Sequence, residues 1–442
     1  MLFRVVRKRH LAVGAAVALG LLTMPAQGLA VRYASPTGSA LANCQTPATA
    51  CSLKTAIQGN GGNVPTNGEE VVVLAGSYPT ETGDIFEGAA LLDIHGESGQ
   101  PPPVINVGGI GRLAINTSNL SYLRVVEDST GSGEVINATS ELIDRVVVES
   151  FAVNAVIPAC QCHGPLIRNS VFITHGPMQP ALGMESNGAS ATTTYRNVTA
   201  YSSQAGAPPI SVEQIGASGT LSFSAFNSIA LNGAGGPDVV ADGPNSTITF
   251  SSSNYRGVST PDGGVVQDAG APHQTAPPLF ADPGGGDFSE LVGSPTIDAG
   301  LTDVENGPLD YAGNPRTVNG ATDIGAYESL ATAPTFTLAR KVKINRKGKG
   351  RLTFTCTSAA GEVCVVAATV GAGGKAKESK LGRASGTVPA GSKGNILVKL
   401  KKAARKRLAA KGKLGAQLSG TVTGANGLSS PLAAPLKLRP KR

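Results

Sequence analysis

Tyr122-Leu-Arg-Val-Val-Glu127, Ile143-Asp-Arg-Val-Val-Val148, Leu166-Ile-Arg-Asn-Ser-Val171, Thr194-Tyr-Arg-Asn-Val-Thr199 and Ser224-Ala-Phe-Asn-Ser-Ile229 are five variants of one short β-prone phrase. Aligned in this way, their arginines fall at 124, 145, 168 and 196, at intervals of 21, 23 and 28 residues. Gly, Asn and Ser turns separate the phrases, and no apolar period of 3.6 residues runs on long enough for a helix. Short strands with no helices to cover them cannot bury their inner faces one repeat at a time. They have to stack coil on coil, which predicts a parallel β-solenoid.

Outward from the repeats, both flanks carry motifs. On the N-terminal side stand Tyr33-Ala-Ser-Pro-Thr-Gly38, Cys44, Cys51-Ser-Leu-Lys-Thr-Ala-Ile57 and Val71-Val-Val-Leu-Ala-Gly-Ser-Tyr78. On the C-terminal side stand Leu279-Phe-Ala-Asp282, Ser294-Pro-Thr-Ile-Asp-Ala-Gly300, Asp310-Tyr-Ala-Gly-Asn-Pro-Arg316 and Asp323-Ile-Gly-Ala-Tyr-Glu328. Together they resemble the opening and the choice-of-anchor closing segment of secreted bacterial right-handed parallel β-helix proteins of the pectate-lyase-like type. The resemblance covers roughly residues 31–330 and implies an all-β chain with a right-handed parallel β-helix there.

A solenoid needs covered ends, because open strand edges invite pairing with other chains. Ser52 is placed to cap a short helix whose Leu53, Ala56 and Ile57 share one face and plug the bottom of the stack. The closing stretch, with turn formers such as Gly-Asn-Pro, is expected to cap the other end. Its Asp298, Asp310, Asp323 and Glu328 suit turn and cap hydrogen bonds better than a calcium ion.

Charge divides the chain into blocks. Of 442 residues with a net charge of +7, residues 1–30 hold four Lys/Arg and no acid. Residues 31–330 hold nine Lys/Arg against 28 Asp/Glu, and residues 331–442 hold 24 against two. Blocks of −19 and +22 on either side of one position argue for two domains with different tasks.

The first 30 residues read as a secretory signal peptide: Arg4, Arg7, Lys8, Arg9 and His10, an apolar run from Leu11 to Leu22, and small residues at Gly28-Leu29-Ala30. No later run is apolar and long enough for a membrane helix, so no integral span is expected once the signal is cleaved. The expected location is extracellular or cell-surface. The six cysteines agree, since they fall into three local pairs, and an exported chain keeps disulfides. Cys44 with Cys51 and Cys356 with Cys364 are the expected bridges; Cys160 and Cys162 form a third, strained candidate or remain thiols. Cys160-Gln-Cys162-His163 has no second Cys/His cluster to complete a zinc site, so neither metal nor other cofactor is expected.

Parallel β-helices also host polysaccharide lyases and hydrolases, so a catalytic alternative has to be weighed. The Asn-Thr-Asp, Asp-Asp, Gly-His-Gly and Arg-Ile-Lys motifs of the polygalacturonase type do not occur. Residues 125–275 contain no lysine and no tight acidic cluster at a coil interval, as a lyase would want. Glu149, Glu185, His163 and His175 are the residues from which an acid/base site could still be assembled.

The sharper candidate is the column Arg124, Arg145, Arg168 and Arg196. At equivalent positions on successive coils, their Cα atoms would stack about 4.8 Å apart. Unit charges at that distance repel by roughly 1 kcal/mol in water and by more in a lower dielectric. Such a ladder persists only if it is neutralised, for which Glu127, Asp144 and Glu149 are at hand, or if it serves to bind an acidic polysaccharide. Asn169, Asn197 and Asn227 follow the same column and are expected to hydrogen-bond along the axis.

Residues 331–334 read as a linker, and residues 335–442 as a small, basic, immunoglobulin-like β-sandwich. Strands are expected at Lys341 to Ile344, Arg351 to Cys356, Val363 to Val370, Asn395 to Leu400, Ala416 to Val422 and Leu432 to Leu438, with a short basic helix over 401–411. Outside a cell, such a module suits a cell-wall polyanion. Nucleic acid is not an expected partner, because only 4% of the chain is aromatic and stacking platforms are scarce. The leading expectation is a non-catalytic surface protein that binds glycan or envelope polymer; the alternative is a lyase or glycoside hydrolase.

Overall fold

The computed structural model describes residues 30–80, 83, 85–86, 90–108, 113–115, 118–128, 134–138, 142–151, 154–156, 163–177, 179–186, 188–216, 218–318, 320–330, 334–357, 363–372, 380–424 and 429–441. The signal-peptide reading (apart from Ala30), Cys160, Cys162 and most of the 331–334 linker lie outside the described residues.

The middle of the chain is a parallel β-solenoid. Its longest sheet runs Val31–Ser39, Glu70–Val73, Asp93–Gly96, Asn119–Glu127, Leu142–Ser150, His163–Arg168, Ala191–Arg196, Leu221–Phe226, Ser246–Ser251 and Val265–Asp268, each strand parallel to the next. A second row, Val171–Thr174, Thr199–Ser202 and Ile229–Asn232, stacks on the far half of Leu142–Ser150. Further rows join Ile85–Phe86 to Asn154–Val156 and Leu182–Ser186 to Val258–Ser259.

Apolar residues in register make the core. Val71, Ile94, Leu120, Ile143, Ile167, Tyr195, Ala225 and Phe250 are successive partners, and all are buried. Within each coil the chain turns from the first row to the second at residues of left-handed backbone: Tyr122, Arg145, Asn169, Asn197, Asn227 and Ser252, with φ from 47 to 56°. Asn tolerates this region better than most residues. Its side chains link the corners, Asn227 Nδ2 donating to Asn197 Oδ1 (2.9 Å) and Asn197 Nδ2 to Asn169 Oδ1 (3.2 Å), the axial bonding expected of them.

The helix Leu53–Gln58 covers the N-terminal end as expected. Ser52 Oγ accepts from Thr55 N, and Leu53, Ala56 and Ile57 are buried in the solenoid core. Buried Arg32 donates from Nε to Ala56 O (2.9 Å) and from Nη2 to Thr55 O (3.1 Å), satisfying carbonyls at the helix end.

The closing segment corrects the expectation of a terminal cap. It folds back along the flank of the solenoid instead. Phe280, Phe288, Ile324 and Ala326 pack against Val147, Val171, Ile173, Tyr201 and Ile229, the apolar outer surface of the second row of strands. A contiguous apolar surface of this kind needs a cover. The corner asparagines fasten it: Asn227 Nδ2 donates to Leu301 O (2.8 Å) and Asn169 Nδ2 to Asn306 O (2.9 Å), while Leu301 N donates to Asn227 Oδ1 (2.6 Å). Within it, Asp310, Asp323 and Glu328 accept backbone N–H bonds from Asn314 and Glu328, Asp298 and Ser329, and Val318 and Asp323. That is the turn role preferred for these three acids. Fully buried Arg316 pairs with Glu328 at 3.2 Å and ties the segment together.

The C-terminal residues form one eight-stranded sheet that closes on itself, in the order Thr335–Leu338, Lys349–Thr357, Lys341–Ile344, Ser429–Pro440, Leu414–Thr423, Val363–Ala372, Lys380–Pro389 and Lys393–Leu400. Lys349–Thr357 pairs with Lys393–Leu400 to complete the circuit. The expected strands and the helix Lys402–Lys411 are present; Thr335–Leu338 is one additional strand and Lys380–Pro389 another. The latter was hidden because Lys380, Arg383 and two glycines dilute its alternation of apolar and polar residues. Ala404 and Leu408 seat the helix on the barrel core. Both expected disulfides, Cys44–Cys51 and Cys356–Cys364, are formed. No helix among the described residues is long and apolar enough to cross a membrane.

Candidate functional site

The four arginines do not form one column. Arg168 and Arg196 are direct partners across adjacent strands, but the neighbour of Arg168 on the other side is Asp144, and Arg124 lies opposite Val147. Arg145 stands at the corner equivalent to Asn169. The arginines coincide in the sequence repeat, whereas the fold aligns on interior apolar residues. Matching Ile143 to Ile167 moves Arg145 one position out of line.

Three of the four are neutralised. Arg124 Nη2 pairs with Glu149 Oε2. Arg168 Nη2 lies 3.2 Å from Asp144 Oδ2, and its Nη1 donates to Glu305 O at 3.3 Å. Arg196 meets the closing segment, with Nη2 2.6 Å from Glu305 Oε2 and Nη1 3.5 Å from Asp303 Oδ2, and its guanidinium lies 4.4 Å over the Phe226 ring. Arg145 is different. It has no ion-pair partner among the described residues, and its guanidinium carbon stands 5.2 Å from the Tyr122 ring centroid.

Arg145 and Tyr122 border a cavity of about 310 Å³ between the solenoid and the closing segment, together with His95, Ser121 and Ala312. Tyr122 is fixed by its own hydroxyl, which donates to Gln100 O at 2.8 Å. His95 is fixed by Glu70 Oε1 at 2.8 Å from Nε2 and Gly96 O at 2.9 Å from Nδ1. The floor requires Gly96, since a Cβ there would stand 2.2 Å from Tyr122 O. The cavity is therefore bordered by a guanidinium with no ion-pair partner among the described residues, lying over a tyrosine ring that is held in place. Such a guanidinium can pair with an anionic group.

Of the residues put forward for an acid/base site, the structure brings two together. Glu149 is buried and bridges Arg124 and His175, with Oε1 3.1 Å from His175 Nε2. His175 Nδ1 is 3.0 Å from Ser203 Oγ, and its ring stacks on Phe151 at 4.6 Å. Burial pushes the Glu149 carboxyl up, but His175 and Arg124 more than offset this and hold it below the ordinary glutamate value. Glu185 stands elsewhere, in line with Glu213 and Asp242 on successive coils, and the side chain of His163 lies outside the described residues. No group of three or more His, Cys, Asp or Glu suited to a metal occurs among the described residues.

A second charged surface belongs to the barrel. Two adjoining hollows of about 600 and 740 Å³ share Lys343 and Lys441, and Lys349, Arg351, Lys413 and Arg439 line one or the other. No ion pair is formed among the described residues after Leu330, since the two acids there, Glu362 and Glu378, lie outside them.

No family model matches the chain, and no curated protein is similar to it. Among solved structures, murine CRIg is similar over 25% of this chain and 100% of its own, with 9% sequence identity and a TM-score of 0.16, too slight a likeness to bear on function.

Proposed function

We propose that this is a secreted, non-catalytic surface protein whose solenoid binds acidic glycan at the Arg145 cleft and whose basic, immunoglobulin-like module attaches it to the cell envelope. The observation that carries the reading is Arg145. An unpaired guanidinium on a tyrosine face, in a molecule that neutralises its neighbours at 124, 168 and 196, is kept free for an anion from outside. The cavity beside it has room for one or two sugar rings, and the bound chain would run along the seam between solenoid and closing segment. The disulfides suit an extracellular address. The hollows shared by Lys343 and Lys441 suit a wall polyanion, which they would hold in a salt-dependent way. Binding across a panel of uronic-acid and neutral oligosaccharides tests the glycan reading, and salt-reversible pull-down on isolated cell wall tests the attachment. Uronides alone should bind; equal binding of neutral sugars, or none at all, would remove the reading.

A catalytic second reading has one observation in its favour, the meeting of Glu149, His175 and Arg124 on neighbouring coils. A lyase needs a base and a cation against the sugar carboxylate, and His175 with Arg124 supplies those types. Release of unsaturated uronate from an acidic polysaccharide would favour it over the binding role.

A further inference from the structure

The ladder of like charges sought in the solenoid occurs in the barrel. Lys349 is the direct partner of Lys399, and Lys399 is the direct partner of Arg383, so three cations stand abreast on adjacent strands. All three are exposed, and none has an acidic partner among the described residues. The solenoid carries the complementary arrangement. Glu185 is the direct partner of Glu213, and Glu213 of Asp242, again on adjacent strands; Glu185 and Glu213 are exposed and Asp242 half-buried. Burial, with the neighbouring Glu185 and Asp242 charges, pushes the Glu213 carboxyl up.

Like charges placed directly opposite one another destabilise a sheet. Here two such rows stand with no ion-pair partner among the described residues, opposite in sign and equal in number. Both are spaced by the same unit, the inter-strand distance of about 4.8 Å, so they can be laid against each other charge for charge. We infer that the two rows are halves of one contact between copies of this chain, in which the Lys349, Lys399 and Arg383 row of one copy seats on the Glu185, Glu213 and Asp242 row of the next. A contact between different patches is head-to-tail, so it propagates into open chains or rings rather than stopping at a dimer. Association of this kind depends on protein concentration and fails in salt, because the screening length falls from about 10 Å at 0.1 M to about 3 Å at 1 M.

The test is the mass of the full secreted chain by sedimentation, over a concentration series at low and high salt, with charge reversals at the middle of each row. Wild-type protein should exceed the monomer mass at low salt and return to it at high salt. Glu213→Lys alone and Lys399→Glu alone should each stay monomeric, and mixing the two variants should restore association, which also shows that both are folded. A monomeric wild type at every concentration would overturn the inference, as would association that survives both reversals. So would a Lys399→Glu variant that loses only cell-wall binding, which would assign the cation row to the envelope polymer. Glycan binding at Arg145 is left intact by each of these failures.

Discussion

At the scale of the residue, Asn197 shows how one side chain serves backbone, coil and closing segment together. It holds a left-handed φ of 51°, donates to Asn169 and accepts from Asn227, and is fully buried. Asn197→Ala should destabilise the solenoid by about 1–3 kcal/mol through the stranded partners, with a further part because alanine lacks the short polar side chain that eases asparagine into the left-handed region. Asn197→Gly keeps the backbone free and should recover that second part, so the gap between the two urea midpoints measures the corner itself. Two buried glutamates set the response to pH: Glu328, pushed up to about 8 by burial against the pull of Arg316, and Glu290. Burial pushes its carboxyl up to about 7, opposed by the Ser294 and Thr296 hydroxyls. The folded state thus favours the protonated form relative to an unfolded glutamate near about 4.3. Its contribution is fully present below that unfolded value and is lost as pH rises through about 7. The calorimetric midpoint of wild-type protein should fall from about pH 5.5 to about pH 8, and Glu290→Gln should remove part of that dependence, the rest belonging to Glu328; an unchanged slope would refute the assignment.

At the scale of the element, the closing segment behaves as a side wall. Phe288 is buried between Phe280 and Tyr201, with ring centroids 5.2 Å from each. Removing it by Phe288→Ala should cost about 3–5 kcal/mol. The loss should be local: protease cleavage within residues 279–330 should quicken while the solenoid melts at its usual temperature. Much of this architecture was legible in the residues. Coil-length spacing, helix capping by Ser52 and the pairs Cys44–Cys51 and Cys356–Cys364 all follow from short-range rules, and each is present as read. The register was not legible, because arginine is a conspicuous letter but an outer residue. Interior apolar partners such as Ile143 and Ile167 decide which positions stack. The side-wall docking was equally hidden, since it depends on the outward apolar set Ile173, Tyr201 and Ile229, which looks like core in a linear reading. The asparagines were the best available clue to register, as they mark the left-handed corners directly.

At the scale of the whole molecule, charge is spent in three different ways. Among the described residues, the solenoid pairs most of its few cations with its own acids, the barrel's cations form no ion pair, and Arg145 alone among the four candidate arginines faces a cavity without a carboxylate. Of the four, then, only Arg145 should matter for glycan. The alignment on arginines gave all four equal standing, and nothing short of three-dimensional pairing could separate them. The most direct measurement is a titration of a uronic-acid oligosaccharide by calorimetry into wild-type, Arg145→Gln and Arg168→Gln protein. Wild type and Arg168→Gln should bind alike, and Arg145→Gln should weaken binding by about 10-fold or more, the loss of one charge-assisted hydrogen-bonding partner. Equal affinity for wild type and Arg145→Gln would contradict the account.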